Sequence, residues 1–100
     1  MHPDRIFDAL ASAARRQMLR HLAQGELTTS ELAARFALST PAVSRHLSVL
    51  ENAGLVASRR EGQRVLYALV RDTLMEALSG FAHEFGPAAP ARPRKRREAI

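Results

Sequence analysis

Residues 28–69 read TTSELAARFALSTPAVSRHLSVLENAGLVASRREGQRVLYAL, and the fold turns on this stretch. Leu32 and Phe36, then Val43, Leu47 and Leu50, recur at helical spacing and face a core. Thr40, Ser44 and Arg45 are left pointing outward on the second of these two helices. A hairpin carrying Arg59, Arg60 and Arg64 follows. A helix offering hydrogen-bonding side chains beside a positively charged ribbon suits duplex DNA. The helix fits the major groove, and the ribbon runs along the phosphates.

Working outward, the N-terminal side supplies two more helices. Ile6, Phe7 and Leu10 form an apolar stripe between Pro3 and about Ala11. Pro3 suits a helix start, and Asp4 and Asp8 suit the positive end of the helix dipole. Ser12 caps a second helix whose Met18, Leu19 and Leu22 face inward until Gly25 ends it. Arg15 and Arg16 place positive charge at the unfavourable end of that helix. They require compensation, either from a carboxylate such as Asp8 or from a phosphate. Thr28 or Thr29 caps the third helix, with Glu31 close to the capping-box position, and the helix runs to about Phe36. Ser39 caps the fourth, Pro41 is tolerated in its first turn, and Gly54 terminates it.

After Gly54 the pattern changes. Leu55-Val56-Ala57-Ser58 is short, apolar and partly β-branched, and Glu61-Gly62-Gln63 makes a turn in which Gly62 supplies a positive φ. Residues from Val65 to Val70 form the return strand. A two-stranded ribbon is marginal alone, so it packs on the helices. A last helix begins near Arg71 or Asp72 and runs to about Phe85, with Leu74, Leu78, Phe81, Ala82 and Phe85 on one face; Gly86-Pro87 stops it. The expected fold is mainly α with a small β-hairpin (α+β). It is a winged helix-turn-helix with four helices, a two-stranded wing and a C-terminal helix. Residues 1–86 form the domain. Residues 87–100, rich in Pro, Ala and Arg, read as a disordered basic tail.

Composition narrows the function classes. One hundred residues make one small domain, and domains of this size often gain stability by oligomerising. There is no cysteine, hence no disulfide, thiolate metal site or thiol switch. No run approaches the roughly 18 apolar residues of a membrane span, and Met1-His2-Pro3-Asp4 lacks the look of a signal peptide. A soluble, cytoplasmic protein with no membrane partner is expected. Of the net charge of +5, Arg92, Arg94, Lys95, Arg96 and Arg97 against Glu98 supply all but +1. Charge placement, not total charge, therefore argues for nucleic acid, because Arg45, Arg59, Arg60 and Arg64 gather on the proposed DNA face. The tail arginines either add non-specific DNA affinity through counterion release or merely solubilise the chain.

Several fragments in order resemble the arsenic-repressor (ArsR/SmtB) family of bacterial winged-helix regulators over roughly Ile6 to Ala82. They are Phe7-Asp8-Ala9-Leu10-Ala11, Arg15-Arg16-Gln17-Met18-Leu19, Glu31-Leu32-Ala33 and above all Pro41-Ala42-Val43-Ser44-Arg45-His46-Leu47. Leu50-Glu51-Asn52-Ala53-Gly54-Leu55-Val56 and the wing from Arg59 to Tyr67 complete the set. The resemblance implies a homodimer built from the first and last helices, binding a palindromic operator, with repression relieved by a signal. This chain has Ser12-Ala13-Ala14 where the family often has Asp-Pro. Ser30-Glu31-Leu32-Ala33 replaces the family's cysteine pair, and Leu74 and Phe85 stand where its last-helix metal ligands would. The chain thus resembles the metal-independent branch.

The candidate DNA contacts are Ser39, Thr40, Ala42, Ser44, Arg45 and His46 on the fourth helix, and Arg59, Arg60 and Arg64 on the wing. Backbone amides near a helix start favour phosphate, and first-turn side chains reach base edges. Arg45 suits the bidentate contact to guanine. Ser39, like Thr28 and Thr29, is a helix cap first and a phosphate contact second. His46 either reaches DNA or serves as a structural hydrogen-bonding residue. Tyr67 packs its ring on the fourth helix. Ile6, Phe7, Leu10, Leu74, Leu78, Phe81 and Phe85 form the expected dimer seam, because a terminal helix with so wide an apolar face has little to cover it in a monomer. His2, His21, His46 and His83 show no metal-ligand spacing, so no cofactor is expected. The rival readings are a metal- or pH-responsive repressor with His and carboxylate ligands at the seam (His83 and Glu84, joined by Asp72 or His2), and a winged-helix interaction module without DNA. No catalytic set is present, and an enzyme is not expected.

Overall fold

Met18, Leu32, Val43, Leu47, Leu50 and Leu55 are fully buried and come from four separate stretches of chain, so one core ties the domain together. The computed structural model describes residues 3–87. Its elements are α1 (Pro3–Leu10), α2 (Ala13–Leu22), β1 (Leu27–Thr28), α3 (Thr29–Phe36), α4 (Thr40–Asn52), β2 (Val56–Glu61), β3 (Arg64–Leu69) and α5 (Arg71–His83). The expected tail with Arg92 to Arg97, and His2, lie outside the described residues.

Side-chain caps set three helix starts. Ser12 Oγ accepts from the Arg15 amide at 3.2 Å, and Ser39 Oγ accepts from the Ala42 amide at 3.2 Å. At α3 the cap is Thr28, not Thr29. Its hydroxyl accepts from the Glu31 amide at 3.1 Å, while the Glu31 carboxylate accepts from the Thr28 amide at 2.8 Å. Each cap satisfies a helix N–H that has no intrahelical partner and stabilises the helix by about 1 kcal/mol. The bend between α3 and α4 falls on Ala37, held in the left-handed region at φ 53° and ψ 38°. Glycine is usual there, so nothing in the sequence marked this turn.

The wing departs from expectation in having three antiparallel strands, ordered β1-β3-β2. Leu27 pairs with Tyr67 and Thr28 with Leu66, so β3 is hydrogen-bonded on both edges. A two-residue strand is too short to show alternation in sequence, and Thr28 also serves as a helix cap, which hid it. Across the hairpin Glu61 pairs with Arg64, and Gly62 takes φ 62°. That Gly sits at the first of two central positions, as a type II′ turn requires.

Arg15 and Arg16 meet backbone carbonyls and not the Asp8 carboxylate. Arg15 Nε donates to the Ala9 carbonyl at 2.8 Å and Nη2 to the Asp8 carbonyl at 3.1 Å, while Arg16 Nη1 donates to the Leu10 carbonyl at 2.7 Å. The two guanidinium groups sit on the last turn of α1, where carbonyls lack helical partners and the dipole is negative. Charge unfavourable to α2 therefore stabilises α1.

Helix α5 begins after Val70, whose amide bonds to the Leu55 carbonyl at 2.9 Å, and it stops at His83 rather than Phe85. None of its residues is buried.

Candidate nucleic-acid interface

Helix α4 separates its two faces cleanly. Val43, Leu47 and Leu50 are at most 1% exposed, whereas Thr40, Ser44 and Arg45 stand in solvent. Ser48 shares that exposed side one turn on from Ser44, a residue the motif reading passed over. Ala42 is half-buried at the edge of the face. Ser39 spends its hydroxyl on the cap. Arg45 makes no hydrogen bond or ion pair among the described residues. A charged, unpaired fork on a helix anchored by its opposite face is suited to base edges.

His46 lies between the two faces and is half-buried. Its Nδ1 accepts from Arg15 Nη1 at 3.4 Å, which ties α4 to the α1–α2 corner. Burial, then the charges of Arg15 and Arg45, hold its pKa below the ordinary imidazole value. These surroundings favour the neutral imidazole over the charged one.

The three wing arginines are not equivalent. Arg59 forms a two-point ion pair with Glu26, Nη2 to Oε1 at 2.6 Å and Nε to Oε2 at 3.1 Å, and lies 3.6 Å from Glu61. The hydrogen bonds from Arg59 lower the Glu26 pKa, and those to Glu26 raise that of Arg59. Arg64 stands 3.9 Å from Glu31. Hydrogen bonding to the Thr28 backbone is the main cause of the lowered Glu31 pKa. Arg60 alone of the three has no partner among the described residues. Glu26 and Glu31 are distant in sequence from the arginines they meet, and no local pattern announced the pairing. Between the start of α3 and the wing runs a polar groove of about 260 Å³, lined by Thr28, Thr29, Ser30, Gln63 and Arg64. Neither Ser30 nor Gln63 was among the DNA contacts expected from the sequence.

The seam residues also divide. Ile6 is 3% exposed and belongs to the core of its own protomer, because α1 turns Ile6 and Ala9 toward α2 and α4. It has almost no surface left for a second copy, so the face is narrower than the sequence stripe. Phe7, Leu10 and Leu74 are half-buried. Phe7 meets Phe81 edge-on with ring centres 5.3 Å apart, and Phe81 meets Phe85 at 5.1 Å. Met75, Leu78, Phe81 and Phe85 are between 42% and 74% exposed, a concentration of large apolar side chains unusual for the surface of a monomer.

With this geometry in place the comparisons are decisive. The model of the bacterial regulatory protein arsR family matches residues 12–58, which run from the cap of α2 through α4 into the wing. The transcriptional repressor SdpR of Bacillus subtilis is 31% identical over 74 residues, covering 74% of this chain and 82% of SdpR. The chain belongs to the ArsR family. The HTH-type transcriptional regulator Rv2034 of Mycobacterium tuberculosis is 48% identical over 67 residues, covering 67% of this chain and 63% of that protein. This ArsR-family chain therefore spans just under two thirds of that relative's length. Among solved structures, the homodimeric winged helix-turn-helix DNA-binding domain of a possible ArsR-family regulator from Mycobacterium bovis superposes with a TM-score of 0.69 at 30% identity. The match covers 89% of this chain and 85% of that one. The family is one of transcriptional regulators. Among the described residues no helix is long and apolar enough to cross a membrane.

Proposed function

We propose that this ArsR-family protein is a cytoplasmic repressor that binds a palindromic operator as a homodimer. The observation that carries the reading is the solvent-facing row Thr40, Ser44 and Arg45 on a helix whose opposite face is fully buried. That row reads base edges from the major groove, with Ala42 and the α4 amides close to the backbone. Arg60 anchors phosphate beside it, while Arg59 and Arg64 do so only by giving up carboxylate partners. The apolar surface of α5, with Phe7 and Leu10 of α1, supports a dimer seam made of Leu74, Leu78, Phe81 and Phe85. Two copies then present two reading helices to half-sites about 10–11 base pairs apart, or a multiple of that.

Selection of bound fragments from the source genome tests the proposal. The expected outcome is a shared inverted repeat, bound by two protomers per site. Recovery of fragments without any common repeat would contradict it.

A further inference from the structure

The buried positions of α4 also fix its outermost line. Val43, Leu47 and Leu50 are at most 1% exposed, and the side of the helix turned farthest from them carries Arg45, Ser48 and Asn52. Asn52 is exposed, and its side-chain amide has no hydrogen bond among the described residues. Val49, beside this line, is 38% exposed; outside the α5 cluster, only Leu38 is a comparably exposed large apolar side chain among the described residues. Val49 and Asn52 border an open dish of about 300 Å³ whose far wall is made by Arg5 and Asp8 of α1. None of these four residues belongs to the proposed seam. Arg5 and Asp8 lie one turn apart with opposite charges, so the dish has no net charge and is poorly suited to phosphate. What it offers is a free amide and a pair of methyl groups.

We propose that Asn52 and Val49 extend the reading row and select A·T pairs on the dyad side of each half-site, an inference that rests on the operator binding proposed above. An asparagine amide offers a donor to adenine N7 and an acceptor to the adenine N6 amino group, and an apolar side chain packs on the C5 methyl of thymine. A G·C pair satisfies neither group. Guanine O6 sets an acceptor against the amide oxygen, and cytosine has no C5 methyl. Ser44 and Asn52 are eight residues apart, about 12 Å along the helix, which matches about three to four base-pair steps. The side of the half-site follows from α1. The helix that walls the dish also carries Phe7 and Leu10 of the proposed seam, so the Asn52 end of α4 lies nearer the partner. The inner pairs of each half-site therefore fall to Asn52 and Val49, and the outer pairs to Ser44 and Arg45.

The test is selection from a randomised duplex pool with the natural chain, Asn52→Ala and Arg45→Ala side by side. Both Asn52 and Val49 are exposed, so replacing them leaves the core intact. The natural chain should recover an inverted repeat with A·T pairs at its inner positions. Asn52→Ala should lose about fivefold or more of the preference there and nowhere else, whereas Arg45→Ala should relax positions farther from the dyad. Deoxyuridine in place of the inner thymines removes only the methyl group. It should weaken binding about fourfold in the natural chain and hardly at all in Val49→Ala. An unchanged inner preference in Asn52→Ala overturns the proposal, as does an equal deoxyuridine penalty in Val49→Ala. If the natural chain selects no inverted repeat, the operator reading itself fails. A repeat whose inner positions ignore both replacements leaves that reading standing and rejects this inference alone.

Discussion

Arg59 grips Glu26 at two points, 2.6 and 3.1 Å, across a separation of 33 residues, and so one of the three wing arginines is already paired with a carboxylate. Both groups are exposed, and the pair is weak enough for phosphate to compete with it. Glu26→Gln should therefore raise affinity for operator and non-operator duplex alike, by about two- to fivefold. It should also steepen the salt dependence by up to about one unit of slope. Arg60→Ala should cost more affinity than Arg59→Ala. Anisotropy titrations at several salt concentrations check all three.

Arg15 has a different task. Its guanidinium closes the Asp8 and Ala9 carbonyls at the end of α1 and reaches His46 on α4. Arg15→Met keeps much of the aliphatic stem but removes the donor to the Ala9 carbonyl and the link to His46, while the Asp8 carbonyl keeps the Ala11 amide at 3.2 Å. It should lower stability by about 1–3 kcal/mol in urea unfolding. If the arginine were a phosphate contact only, stability would be unchanged and DNA affinity alone would fall.

The lowered pKa of His46 predicts a pH effect. Its folded pKa lies below its unfolded value, so its contribution is complete above the unfolded value of about 6.5 and is lost as pH falls toward the folded one. Melting temperature should drop between about pH 6.5 and pH 5 more steeply in the natural chain than in His46→Gln. Parallel pH profiles for the two proteins would contradict the assignment.

The exposed aromatic cluster on α5 yields a prediction about assembly. Phe81, 48% exposed and in contact with both Phe7 and Phe85, lies at the centre of the proposed seam. Phe81→Glu should give monomers in sedimentation and a large loss of operator affinity, with little change in helical content. The half-exposed position tolerates a charge in the monomer but not in a buried seam.

Helices were the legible part of this sequence, because each carries an apolar stripe and α2, α3 and α4 also carry a side-chain cap. Ser12, Thr28 and Ser39 cap the helices they announce, and Val43, Leu47 and Leu50 are buried as their spacing requires. What escaped was non-local or too short to have a period. Strand β1 is two residues, and the Glu26–Arg59 and Glu31–Arg64 pairs join distant segments. Ala37 adopts a conformation its residue type does not advertise. Ile6 illustrates a limit of stripes: periodicity gave the apolar side of α1 but not how that side divides between core and surface. On α4 the exposure of Ser44 and Arg45 followed from the buried positions around them. The inward turn of His46 depended on Arg15, 31 residues earlier.

If α4 reads sequence through Ser44 and Arg45, competition binding of the Ser44→Ala/Arg45→Ala variant will register the loss. With operator and scrambled duplex compared at one salt concentration, the variant should lose about 1–3 kcal/mol of discrimination while keeping its affinity for scrambled duplex to within a few-fold. Undiminished preference for the operator would show that the reading surface lies elsewhere.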